Sequence, residues 1–222
     1  MVQSSSGNRF GMDNRSENVA EWVQLHMREL SIVIVAAVVL VAGVFTYRRV
    51  AAGTEAKAEQ AYFAAEQARQ MGDDSTAAVE LARVSTQYQG TAGGTQAAML
   101  LAQLRFDAGD YAGGLAVLEE LRGGKAKEEF RASVEALAAA GHEGEGAYDE
   151  AAAAYQKAAD LARFQADKDS YRADAARVLT AGGQTAAAAD IWQSIADDPT
   201  SPMADEARVR LGELTVKPAG QG

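Results

Sequence analysis

The run Ala98-Met-Leu-Leu-Ala-Gln-Leu-Arg-Phe-Asp-Ala-Gly-Asp-Tyr111 decides the fold. It carries small and large apolar residues at helical spacing, stops at Gly109, and restarts on a polar residue and a tyrosine. The same order returns in Gly146-Ala-Tyr-Asp-Glu-Ala-Ala-Ala-Ala-Tyr155. Working outward, Gly72, Gly109, Gly146 and Gly183 stand 37 residues apart, each between two helical runs. A fixed period of this size marks stacked repeats that are each too small to bury an apolar face alone.

Flanking registers repeat with the glycines. Seven residues before them lie Ala65, Ala102, Ala139 and Ala176; five after lie Ala77, Gly114, Ala151 and Ala188. Nine after lie Leu81, Leu118, Tyr155 and Trp192. Small residues suit the close crossing of two helices, and the large one fills the space beyond it. This small–turn–small–large order matches the tetratricopeptide pattern. The fold class it predicts is all-α: an α-solenoid of about four helical hairpins over residues 54–216, closed by a last helix from Met203 to Leu214. The period exceeds the usual repeat length, so longer loops are expected near Thr91-Ala-Gly-Gly94 and Gly123-Gly-Lys125.

Upstream, Ser31 to Tyr47 reads SIVIVAAVVLVAGVFTY, without charge or proline, between Arg28-Glu29 and Arg48-Arg49. Seventeen helical residues span about 26 Å, the short end of a bilayer crossing, and flanking arginines can snorkel outward. Ten of them are Ile, Val, Leu or Phe, which sums to about −3 to −6 kcal/mol for insertion. A single transmembrane helix over residues 31–50 follows. A cleaved signal peptide is the alternative, since Ala56-Lys57-Ala58 resembles a cleavage site. Against it stand a long leading segment of mixed charge and the two arginines directly after the apolar run.

Residues 16–30 read as an amphipathic interfacial helix, with Val19, Trp22, Val23, Met27 and Leu30 at helical spacing; a plain continuation of the span fits as well. Trp22, Arg28, Arg48 and Arg49 are the candidate membrane-interface residues. Residues 1–15 form a polar segment expected to be loose, and 217–222 a short tail. Arginines flank both ends of the span, so charge does not choose a membrane side.

Composition narrows function. The 222-residue chain has no cysteine, hence no disulfide and no thiolate metal site. Residues 1–50 are near neutral, while the remainder holds sixteen basic against twenty-seven acidic residues. An acidic domain without a basic stripe does not bind nucleic acid. His26 and His142 lie in separate regions, no Ser–His–acid set can be built, and the glycine pairs lack a phosphate-loop context. Gly93-Gly94 and Gly123-Gly124 read as turns. Neither catalysis nor a cofactor is expected.

Partner contacts are expected on exposed positions of the first helix of each hairpin, which line the concave face of such solenoids. Ten, six and three residues before the glycines, the candidates are Tyr62, Glu66, Arg69, Met99, Gln103, Phe106 and Arg177. The last repeat, with only Ala173 in the first register, offers less to grip. The lysines and asparagines with which tetratricopeptide clamps hold a terminal carboxylate are missing from these registers.

The short leading segment, the single span and the divergent repeats together resemble the YfgM-type family of bacterial membrane proteins. The run Tyr88-Gln-Gly-Thr-Ala-Gly-Gly-Thr-Gln-Ala-Ala-Met-Leu-Leu-Ala102, followed by Gly109-Asp-Tyr111, is similar to that family's characteristic stretch. The resemblance implies a single-pass protein of the bacterial cytoplasmic (inner) membrane with its repeats in the periplasm. It also implies partners among Sec translocon and periplasmic chaperone subunits. A structural subunit of a large respiratory, photosynthetic or transport complex is the alternative.

Overall fold

The computed structural model describes Trp22 and residues 25–215; the expected segments 1–15 and 217–222, and most of 16–24, lie outside the described residues. These contain nine α-helices and no strand. They are α1 (Met27–Gln70), α2 (Asp74–Gln87), α3 (Ala92–Asp107), α4 (Tyr111–Glu120), α5 (Arg131–Gly144), α6 (Tyr148–Leu161), α7 (Gln165–Ala181), α8 (Thr185–Ala196) and α9 (Ala204–Thr215). The chain divides into two compact units, with the division after Gly53.

In the first unit, α1 carries the apolar run. It is long and apolar enough to cross a membrane, and none of the side chains in its most apolar window is buried. The sequence reading sets the span and the first repeat helix apart, whereas the helix has no break between Met27 and Gln70. Ala51, Ala52 and Gly53 supply no proline or capping side chain that would end it.

In the second unit, beginning at Thr54, four hairpins and a closing helix follow one another. The last part of α1 shares a core with α2 and α3; α3 pairs with α4, α5 with α6, and α7 with α8, and α9 packs on α8. All four marker glycines have left-handed backbone, with φ of 83°, 79°, 76° and 81°. Each turn has the same two hydrogen bonds: the glycine N–H donates three residues back and the next N–H donates five residues back. In the first turn these are Gly72 to Arg69 and Asp73 to Ala68; in the last, Gly183 to Thr180 and Gln184 to Leu179. This is the Schellman ending, which satisfies the last helical carbonyls and needs a residue that tolerates positive φ. The following residue then caps the second helix. Asp73 accepts from Thr76 N–H and Asp110 from Gly113 N–H, while Ala147 and Gln184 have no side-chain cap bond.

The repeated registers are the core. Ala65, Ala102, Ala139 and Ala176 are each at most 1% exposed, and Ala77, Ala151 and Ala188 are fully buried. Leu81, Leu118, Tyr155 and Trp192 are buried as well, and burial of each of the two leucines is worth about 1.5–3 kcal/mol. The constant period hides a trade of helix for connector. Between hairpins 2 and 3, α4 has only 10 residues, and the chain continues through a π-turn, Leu121–Lys125, and a 3-10 turn, Glu128–Phe130. Between hairpins 3 and 4, α6 has 14 residues and α7 has 17, and three residues connect them.

One expected long loop is therefore present, at Gly123-Gly-Lys125, where Gly124 has φ 100°. The other is not. Thr91 caps α3 by accepting from Gly94 N–H at 3.0 Å, so Gly93 and Gly94 are helical and buried, not a turn. A Cβ on Gly93 would lie 2.5 Å from the Ala58 carbonyl carbon, and one on Gly94 would lie 2.0 Å from the Tyr88 oxygen. These glycines let α3 touch the backbone of its neighbours. Glu55 of α1 accepts from Ala92 N–H at 3.0 Å and pairs with Lys127, while Lys127 N–H donates to Thr95 Oγ1 at 3.3 Å. The long connector is thereby pinned to the start of α3. Lys127 also holds the Glu55 carboxyl below its ordinary range.

Candidate partner-binding surface

The seven candidate contact residues have different fates. Tyr62 is half-buried against the core of hairpins 1 and 2, and burial, then the charge of Glu66, raises its phenol. Glu66 is half-buried and Arg69 exposed at the end of α1. Met99 is half-buried on the core of hairpins 2 and 3. Gln103 is exposed and donates to Asp107 Oδ1 at 2.8 Å. Phe106 does not reach the surface: it is 7% exposed and stacks on Tyr111 at 5.8 Å. An anchor role for Phe106 is thus corrected to a core role. A Cβ on Gly114 would meet its ring at 2.3 Å, and one on Gly141 at 2.5 Å, so two glycines make the room it fills.

Arg177 is the candidate around which a site forms. Its guanidinium grips the Glu143 carboxylate with both arms, Nη1 to Oε1 at 2.6 Å and Nη2 to Oε2 at 2.9 Å, which ties α7 to α5. Nε reaches Asp174 Oδ1 at 3.5 Å. The Arg177 contact holds the Glu143 carboxyl below its usual range and the guanidinium above its own. Asp174 moves the other way, because burial raises it more than Arg177 lowers it. Burial, followed by the Asp174 charge, raises the Tyr155 phenol nearby.

Beside this clasp, α7, α8 and α9 enclose a groove of about 340 Å³. Ala173, Trp192, Met203 and Leu214 supply its apolar surface; Ser170, Asp174, Arg177 and Thr180 line it from α7, and Glu206, Arg210 and Glu213 from α9. Ala173, expected to offer little to grip, lies buried at the bottom of this groove. The ten-before register reads Tyr62, Met99, Ala136, Ala173; Ala136 packs on the core, while Ala173 also lines the groove. Sequence reasoning missed Glu143, although it occupies the three-before register, and missed the α9 residues, which carry no repeat signature. Arg210 is itself paired with Glu206 at 3.6 Å and Glu213 at 3.1 Å. The groove thus has an apolar floor and a rim whose cations are matched.

Among the membrane-interface candidates, Trp22 is exposed and stacks on His26 at 4.7 Å. Arg28, Arg48 and Arg49 are exposed on α1. Among the described residues no three His, Cys, Asp or Glu side chains are grouped to hold a metal.

Hairpins hinged at left-handed glycines, stacked through small residues and closed by a single helix define the class of tetratricopeptide-like helical-repeat proteins. The chain belongs to the family described as tetratricopeptide repeat-like domain, whose profile matches residues 20–216. No curated protein matches its sequence. Among solved structures it is similar to nearly identical tetratricopeptide-like repeats assigned to a putative kinesin light chain of Podosopora anserina. That match has 14% identity and a TM-score of 0.56, covering 72% of this chain and 86% of the other. A single-substitution variant of the same repeats gives 14% identity and a TM-score of 0.55, covering 72% and 85%. At this identity the likeness concerns the fold.

Proposed function

We propose that this protein is a membrane-anchored scaffold that binds other proteins through its repeat domain and carries no catalysis or cofactor. Residues 31–47 cross the bacterial cytoplasmic membrane, with Trp22, Arg28, Arg48 and Arg49 at its interfaces, and residues 54–216 stand on the periplasmic side. The observation that carries the reading is the open groove of hairpin 4 in a tetratricopeptide-like fold: an apolar floor over Ala173 and Trp192, bordered by ion pairs. A concave site that sets four apolar residues beside seven polar or charged ones suits a bound segment of a partner protein. The exposed apolar stretch of α1 supports the anchor. The resemblance to the YfgM-type family supports an accessory role in Sec translocation and periplasmic chaperoning.

Cross-linking from Thr180 in intact membranes, read by mass spectrometry, tests the partner. Recovery of translocon and chaperone subunits is expected; stoichiometric recovery of one respiratory, photosynthetic or transport complex instead would replace the role with that of a structural subunit. Protease added to sealed spheroplasts should cleave the repeat domain. Its survival until lysis would overturn the periplasmic side.

A further inference from the structure

We propose a second docking surface, on the edge of the solenoid away from the hinge glycines, for a segment of another protein that presents a lysine or arginine beside an apolar side chain. The cleft lies where the start of α5, the α6–α7 connector and the start of α7 meet, and encloses about 620 Å³. Leu161, Phe164 and Tyr171 give it an apolar surface. Phe164 is 62% exposed, although Ala162 in the same short connector is 7% exposed. Leu161, 39% exposed, lies in the same cleft, so the exposed apolar surface is a patch shared by neighbouring side chains and not a single residue.

Charge chooses the occupant. Glu128, Glu129 and Asp167 line the same cleft, are exposed, and enter no ion pair among the described residues. Carboxylates near helix starts are favoured by the helix dipole, which accounts for their presence but leaves their charge available. Arg163, which stacks over the Phe164 ring at 5.5 Å, also lines the cleft, and three carboxylates against its one guanidinium leave a negative excess. The groove of hairpin 4 differs, since its arginines are already matched by carboxylates. Unmatched charge beside apolar surface steers and orients a partner of opposite sign. This surface is independent of the membrane side and of the partner proposed for the hairpin 4 groove.

The test uses the full chain in detergent micelles and three labelled peptides of equal length and leucine content: lysine-rich, uncharged and glutamate-rich. Fluorescence anisotropy should show the lysine-rich peptide binding tightest. Its affinity should fall about tenfold in Phe164→Ser and in the triple variant Glu128→Gln/Glu129→Gln/Asp167→Asn. The control triple Glu59→Gln/Glu150→Gln/Asp190→Asn removes equal charge from exposed positions elsewhere and should leave affinity unchanged. Circular dichroism should show all variants folded, as every changed side chain is exposed. The proposal is overturned if the uncharged peptide binds as tightly, if Phe164→Ser has no effect, or if the control triple weakens binding equally. It is also overturned if light scattering shows that Phe164→Ser dissociates a dimer, for then a second copy covers the cleft.

Discussion

Hairpins 2 and 4 share one hinge and differ in where they put their volume. In hairpin 2, Phe106 enters the interior from α3, and Gly114 and Gly141 give way to it. In hairpin 4, the equivalent register holds Thr180, the bulk comes from Trp192 on α8, and the buried Ala173 lies at the bottom of the groove. In hairpin 2 the Phe106 ring fills the space between the two helices; in hairpin 4 a groove runs beside Trp192 and under α9. A repeat can keep its turn while the large side chain moves from one helix to the other.

The largest test removes the key of hairpin 2. Phe106→Ala should cost about 3–5 kcal/mol in chemical denaturation of the full chain. Gly114→Ala alone should cost about 1–3 kcal/mol, since its Cβ falls 2.3 Å from the Phe106 ring. Combined, the two should couple by about 1 kcal/mol or more, because the ring that the added methyl strikes is gone. Purely additive losses would erase the distinction between the hairpins.

A smaller effect is expected at the caps. Asp110 caps the second helix of hairpin 2, whereas Ala147 and Gln184 leave theirs without a side-chain bond. Ala147→Asp should stabilise the chain by about 0.5–1 kcal/mol, and no gain would mean that the later turns do not share the earlier geometry.

The smallest is the Arg177 clasp beside the groove. Both partners are substantially exposed, so Arg177→Met should cost about 0.5 kcal/mol near neutrality. Glu143 is held below its ordinary value of 4.5, so its contribution is present above that value and is lost as pH falls through the lowered one. Asp174, raised from 3.8 by burial, runs oppositely: its protonation at falling pH relieves a cost that folding imposes at higher pH. The difference between wild type and Arg177→Met should therefore shrink as pH falls below Glu143's ordinary 4.5. A difference that persists there would mean the arginine acts through packing alone.

The hinge is legible in the sequence because a positive-φ turn accepts little but glycine and each copy needs one. The alanine and large apolar registers are legible because close helix crossing repeats with the hinge. Gly93-Gly94 misleads: glycine that permits backbone contact inside a helix has the same letter as glycine in a loop, and only Ala58 and Tyr88, in other parts of the fold, distinguish them. The groove is illegible for a related reason. It depends on Met203 and on α9, whose Arg210 and Leu214 follow no repeat register.

The claim that hairpin 4 is the docking site is tested most directly by filling it. Ala173→Leu places a larger apolar side chain in the groove, and cross-linking from Thr180 in intact membranes then measures partner capture. The account predicts that capture falls about tenfold while the denaturation midpoint stays near wild type. Undiminished capture by a folded Ala173→Leu protein would contradict it.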